Sequence, residues 1–323
     1  MCPVARASET DWLGQPALAL ETIALRFVTV PAMGAKIVSL FDKRANREWL
    51  LPPIHRRFEP AAYRSVFTDQ DMSGWDEMFP TIDECVYPVD GAYQGKLLPD
   101  HGEVWAIPWE INNVTNDSFS LSTSGRALPY RLTRTTQILE DARLRLTFDV
   151  VNTGSEPLVA LWAAHPQFVV DGDTRIRLPH TVTQVVNVHP TTDWGAVGNI
   201  YDWPNARAQD GRHHNLDHIG AADRHNCRKF YLLPDQPVNW AALQQGGDGA
   251  WLRLSWNAAE VPYLGIWADE GTYNAAPTTA LEPSTGYYDK LDFAWQNGRA
   301  MVLPSGEPVS WQLDLEVGNG PLA

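Results

Sequence analysis

Tyr130-Arg-Leu-Thr-Arg-Thr-Thr-Gln-Ile-Leu-Glu140, the short break Asp141-Ala142, and Arg143-Leu-Arg-Leu-Thr-Phe-Asp-Val-Val-Asn152 decide the fold class. Leu144, Leu146, Phe148 and Val150 alternate with polar residues, and Tyr130 and Leu132 open the same rhythm in the preceding segment. A period of two puts successive side chains on opposite faces of an extended chain, so the pattern predicts two half-buried strands joined at Glu140-Asp141. Val309, Trp311, Leu313, Leu315 and Val317 repeat it near the end of the chain. Polar turns punctuate it elsewhere: Asp42 to Asn46 follows Ile37 to Phe41, and Asn152 to Ser155 precedes a strand expected over Leu158 to Ala164. Apolar residues at i, i+3, i+4 and i+7 are scarce, and 24 prolines and 23 glycines interrupt the chain throughout. The expectation is an all-β protein. No Pro/Ser-rich linker or charge block divides it, so residues 1–323 are read as one domain. Two irregular stretches, Pro52 to Tyr93 and Pro190 to Asn226, are long for loops and are expected to frame a site.

Charge narrows the function. With 25 basic and 39 acidic side chains the net charge is -14, which argues against nucleic acid or an anionic membrane surface as partner. The apolar share of 44% supports a buried core without staples. Cys2, Cys85 and Cys227 form no CxxC pair, and their odd number leaves a thiol unpaired. Met1 to Gln15 has no apolar targeting region, and no run of about 18 apolar residues occurs, so the chain is expected in the cytoplasm. No heptad or long apolar stripe marks an interface between copies.

GxGxxG after a strand, a P-loop, a GxSxG elbow and HExxH are all missing, so no nucleotide or metal cofactor is expected. The 14 tryptophans outnumber the 10 phenylalanines, and Trp75, Trp105, Trp109, Trp162, Trp194, Trp203 and Trp267 lie beside polar, Gly- or Pro-rich segments. An indole suits the apolar face of a sugar ring and offers one N–H donor, although tryptophan also fills β-sandwich cores.

Three segments sharpen this. Gly74-Trp-Asp-Glu-Met-Phe-Pro80, followed by Asp100-His-Gly-Glu-Val-Trp105, is the first; Trp162-Ala-Ala-His-Pro-Gln-Phe168 is the second; Leu281-Glu-Pro-Ser-Thr285 is the third, with Pro262-Tyr-Leu-Gly-Ile-Trp267 just before it. In order and spacing they resemble the aldose 1-epimerase (galactose mutarotase-like) family, from about Ile23 to Val317. The resemblance implies a large twisted antiparallel β-supersandwich whose concave face holds a small-molecule sugar. It implies a cofactor-independent isomerase that interconverts α and β anomers, with Glu282 as general base, His165 as general acid and His101 as the second histidine. Trp75, Asp76, Trp105 and Trp267 are its candidate substrate contacts. The N-terminal Asn/Gly-Arg segment of the best-known galactose mutarotases is missing, which leaves Arg64 as a candidate substitute. Their hydroxyl-binding aspartate also has no counterpart, and both departures bear on the substrate.

The chemistry suits these residue types. Anomer exchange in a cyclic hemiacetal removes the proton on O1 and delivers one to the ring oxygen, so one base and one acid suffice. A glutamate near pKa 4.3 is ionised at neutral pH, and a histidine near 6.5 becomes a competent acid after a modest upward shift from a neighbouring carboxylate. Glu282, between Leu281 and Pro283, needs a partner or a role if buried. Asp100 and Glu103 are available to orient His101, although Asp-His-Gly is also ordinary turn composition. Asp76 and Glu77, adjacent in a strand, point to opposite faces and do not flank one bond. His213, His214, Asp217, His218 and His225 cluster, but Gly211, Asn215, Gly220 and Asp223 around them read as a loop, and no metal site is expected.

Two other functions fit the same residues. One is a sugar-binding or regulatory protein that has lost catalysis; the other is a glycosidase or lyase, which needs a second carboxylate within about 5 to 10 Å of Glu282. Arg56, Arg57, Arg64 and Lys96 are the cations available to meet a phosphate, sulfonate or carboxylate on the sugar, although such side chains are usually solvated.

Overall fold

A computed structural model describes residues 6–53, 58–246 and 249–322; Cys2, Arg56 and Arg57 lie outside them. The predicted hairpin forms: Tyr130–Glu140 and Arg143–Asn152 pair antiparallel with Leu132 opposite Val150 and Ile138 opposite Leu144. Pro308–Asn319 lies on the other side of the second strand, with Trp311 opposite Phe148 and Leu313 opposite Leu146. These three strands centre an eight-stranded sheet running from Arg175–Arg177 at one edge to Glu110–Val114 at the other. Leu144, Leu146, Phe148 and Val150 are buried and their alternate neighbours half-buried, as period two requires.

A larger sheet of thirteen strands packs against it. Its centre carries Lys36–Asp42, Trp75–Met78, Ala163–Pro166, Thr278–Ser284, Tyr263–Glu270 and Asn226–Leu232 as successive neighbours. Alternation divides these strands into two chemistries. Leu281, Ile266, Phe230 and Ala164 join the main hydrophobic core, whereas Glu282, Lys229, Tyr231 and His165 alternate with them and lie on the opposite face. The two sheets are tied by an aromatic stack, Phe148 on Trp311 at 5.4 Å, with Trp162 within 5.3 Å of Trp311 and 4.7 Å of Phe148. They are also tied by a buried ion pair. Arg134 from the hairpin reaches Glu77 at 2.9 Å, Thr29 Oγ1 at 3.0 Å and the carbonyl of Ala35 at 2.7 Å, while Trp162 donates its indole N–H to the same glutamate at 2.9 Å.

Helix is confined, among the described residues, to Leu291–Gln296 and four short 3-10 turns, and no helix is long and apolar enough to cross a membrane. The strand expected over Leu158 to Ala164 is two strands: Leu158–Ala160 pairs with Met301–Leu303, and Ala163–Pro166 enters the large sheet. Leu161-Trp162 makes the crossing between them, and burial of both sides of that segment hides the change from the apolar pattern.

Replacing Arg134 by Met leaves Glu77 charged and unpaired in the core. The expected cost is about 3–5 kcal/mol by urea denaturation, while Arg134→Met with Glu77→Gln should recover much of it.

Candidate active site

On the open face of the large sheet a cavity of about 200 Å³ is walled by Phe67, His101, His165, Lys229, Trp267 and Asp289, with Asp83 and His189 at its sides. Each strand contributes by register. His165 lies opposite Asp76, Lys229 opposite Trp267, and Gly265 opposite Glu282, so strands distant in sequence present their polar residues to one region. Gly265 has a steric reason to be glycine. A Cβ there would stand 3.0 Å from Glu282 Oε2 and from the Tyr231 ring, a tighter approach than ordinary packing allows.

Glu282 is fully buried, and its Oε1 lies 3.8 Å from His165 Nε2. Its Oε2 is 2.9 Å from Lys229 Nζ, which is also 2.9 Å from Asp289 Oδ1. Tyr231 donates its hydroxyl to that same Asp289 oxygen at 2.9 Å. One ammonium thus serves two carboxylates. Burial raises the Glu282 carboxyl above its ordinary pKa; Lys229 opposes the shift and Asp289 adds to it. For Lys229, burial favours the neutral amine, but Asp289 and Glu282 outweigh it and keep the lysine protonated well beyond the usual range.

The histidines differ. Burial drives His165 well below its ordinary pKa, and the positive charges of His101, Lys229 and Lys36 push the same way. This corrects the expected upward shift: the carboxylate of Glu282 is present, but it does not offset desolvation and the surrounding cations. Gln167 Nε2 approaches His165 Nδ1 at 3.5 Å. His101 holds Asp100 Oδ1 through Nδ1 at 2.8 Å, and that bond keeps the Asp100 carboxyl below its ordinary value despite burial. The His101 ring stacks on Phe67 at 4.2 Å and meets His165 edge-on at 5.1 Å. The Asp-His-Gly segment is both turn and site: φ is 58° at His101 and 70° at Gly102, where a Cβ would strike the Phe79 backbone.

Glu282, His165, His101 and Trp267 therefore come together, and four other candidates do not. Trp75, expected to stack on a ligand, is fully buried on the core side of its strand, edge-on to Phe168, because Asp76 next to it takes the open face. Trp105 sits behind Phe67, edge-on at 5.1 Å, with its N–H given to the Asp100 carbonyl. Asp76 shares the face of His165 but is buried against Lys36, its carboxyl pushed up to about 6 by desolvation that the lysine only partly offsets. Arg64 is exposed and does not line the cavity. Glu77 turns to Arg134 in the core, opposite to Asp76, as adjacent strand residues must. Glu103 accepts from the Tyr63 and Tyr130 hydroxyls and from two backbone N–H groups, so it braces the turn and does not orient His101.

Of the two long stretches, the first supplies Phe67, Met72, Ile82 and Asp83 to the cavity; the second lies beside a separate polar hollow lined by Arg212, His213, His214 and Arg228. His218 and His225 there turn ring nitrogens to the carbonyls of Gly172 and Gly271. Among the described residues no group of three or more His, Cys, Asp or Glu is arranged to hold a metal ion.

Sequence reasoning missed Lys229, Asp289 and Tyr231. A signal existed for the first: a lysine amid Phe230-Tyr231-Leu232 at an alternating position. Asp289, in a loop of ordinary composition, gave none.

The protein is thus a two-layer β-sandwich whose outward face gathers a glutamate, two histidines and an aromatic wall. No protein-family model matches the sequence, and no curated protein matches it. Solved structures do. A galactose mutarotase-like protein from Lactobacillus casei ATCC 334 superposes with a TM-score of 0.68 at 19% identity, over 94% of this chain and 100% of that one. Another from Clostridium acetobutylicum gives 0.68 at 13%, over 98% and 99%. A candidate aldose 1-epimerase from Escherichia coli K12 gives 0.64 at 17%, over 92% and 96%. The chain has the galactose mutarotase-like fold.

Removing the ammonium in Lys229→Gln should move Glu282 ionisation to still higher pH, read by carbon NMR titration of its carboxyl, and should cost about 3–5 kcal/mol in urea unfolding. Gly265→Ala should perturb the same titration through displacement of the carboxylate.

Proposed function

We propose that this protein is a cofactor-independent aldose 1-epimerase acting on a free hexose or a related sugar. The observation that carries the reading is the buried Glu282 carboxylate 3.8 Å from His165 Nε2 beside a cavity of monosaccharide scale, with Trp267 on its wall. In this reading Glu282 accepts the proton of O1 as the C1–O5 bond opens. The ring oxygen takes a proton from the histidine pair, and the opened aldehyde rotates about C1–C2. Closure on the other face returns both protons, so no net proton, electron or cofactor is required.

The direction of the His165 shift divides the labour between the two histidines. In the free protein His165 is a neutral imidazole that hydrogen-bonds the sugar oxygen next to Glu282. His101, held through Nδ1 by the Asp100 carboxylate, is in this reading the proton donor to the ring oxygen. Lys229, 2.9 Å from Oε2, favours the ionised form of Glu282 against complete burial. Small-molecule binding on the open face fits a chain whose charge disfavours nucleic acid and anionic lipid.

Polarimetry or NMR exchange spectroscopy on a panel of aldoses is the direct test, and no acceleration of anomer exchange for any sugar overturns the proposal. Glu282→Gln, which keeps shape and removes the base, should lower kcat by roughly 10² to 10⁴, and His165→Asn and His101→Asn should each lower it substantially.

The pH profile separates the histidines. Because Glu282 must be ionised, kcat/KM should rise with pH through a midpoint above 4.5, the ordinary glutamate value. A descending limb that survives in His165→Asn and disappears in His101→Asn assigns the acid to His101; the reverse restores it to His165. Trp267→Ala should act chiefly on KM, by about 1 kcal/mol or roughly fivefold, and should abolish ligand-induced change in tryptophan fluorescence.

A further inference from the structure

We propose, on the basis of the sugar-site reading, that the cavity selects its ligand by charge. Hexoses bearing an ammonium group are taken in preference to neutral ones, and those bearing phosphate, sulfonate or carboxylate are refused. The juxtaposition behind this is three carboxylates around one lysine. Lys229 is held at 2.9 Å by both Glu282 and Asp289, and Asp289 also receives the Tyr231 hydroxyl, so that ammonium is fully engaged. Asp83 is the third. Its backbone N–H is bonded to the Asp289 carbonyl at 2.9 Å, which sets the two acids side by side, and its carboxylate lines the cavity without a hydrogen bond from any described residue. Glu282 Oε1, with no exposure and no hydrogen-bond partner, is a second unmatched acceptor, behind the His165 and Lys229 side chains that line the cavity.

The cations nearest Asp83 are engaged by other carboxylates: Lys229 by Glu282 and Asp289, and His101 by Asp100. Lys36 is paired with Asp76 and Asp71, Lys290 is exposed and outside the lining, and among the described residues no arginine faces the cavity. Burial holds His165 and His189 below their ordinary pKa, helped by His101 and Lys229 at the first and by Lys229 at the second, so both positions disfavour a positive charge. Burial and the charge of Asp289 raise Asp83 itself, and the pull of Lys229, His101 and Lys290 offsets this only in part. A sugar ammonium placed on Asp83 relieves that repulsion; a sugar phosphate adds to it, within a chain of net charge -14. The cations expected from the sequence to meet an anionic substituent are elsewhere: Arg64 and Lys96 are exposed and away from the lining.

The test is calorimetric titration of the full chain at low salt with D-glucose and D-galactose, their 2-amino-2-deoxy forms, their N-acetyl derivatives and their 6-phosphates. The amino sugars should bind about tenfold tighter than the neutral hexoses and the 6-phosphates at least about tenfold more weakly. Acetylation, which removes the charge, should erase the advantage. In Asp83→Asn the ratio of amino to neutral affinity should fall to about one. Equal or tighter binding of the 6-phosphates, or an amino preference that persists in Asp83→Asn, overturns the proposal. If neutral hexoses bind and charge makes no difference, charge selection fails while the sugar site stands. If no hexose of any charge binds, the sugar reading and this inference fall together.

Discussion

The guanidinium of Arg134 and the carboxylate of Glu77 meet at 2.9 Å in the dry space between two sheets, and much of the molecule is arranged around that contact. A charge pair without water needs every remaining donor and acceptor matched. The match comes from elements far apart in sequence: Thr29, the Ala35 carbonyl and the Trp162 indole. The pair therefore fixes how the hairpin of one sheet sits over the other. It also fixes the face of Glu77, and with it the face of Asp76, since a strand cannot turn one without turning the other. His165, in register with Asp76, is thereby directed to the open side.

That open side is where desolvation does chemical work. Glu282, Lys229, Asp289 and Tyr231 lie on two strands and one loop, and none of the three charged groups would hold its charge alone at such burial. Together they form one ion-pair cluster, in which the two carboxylates keep the lysine protonated and the lysine counters the upward shift that burial gives Glu282. The same low-polarity surroundings and the neighbouring cations hold His165 well below its ordinary pKa despite Glu282 at 3.8 Å, while the more open His101 has Asp100 behind it. Two histidines 5.1 Å apart thus have different electrostatic settings, and the difference arises from what backs each ring.

Tryptophan illustrates the limit of composition as evidence. Trp75, Trp162 and Trp311 fill the space between the sheets, Trp105 supports Phe67, and Trp267 alone of the three proposed platforms lines the cavity. All share a flavour of sequence context. What separates them is the parity of each position relative to the core, and parity around a 3-10 turn such as Val104–Ala106 has no two-residue rhythm to read.

By itself the sequence determined the class of fold, because period-two alternation leaves an extended chain no other way to bury Leu144, Leu146, Phe148 and Val150 together. It also singled out Glu282, His165, His101 and Trp267, which lie in short segments of distinctive composition. The tertiary structure decided what surrounds them. Lys229 and Asp289 are sixty residues apart in the chain, and only the pairing of Asn226–Leu232 with Tyr263–Glu270, and of that strand with Thr278–Ser284, brings the lysine to Glu282 and Asp289. Charge state follows from burial and distance. Neither is a property of a residue's place in the sequence, so the lysine beside Glu282 and the different settings of the two histidines became legible only once the strands were laid side by side.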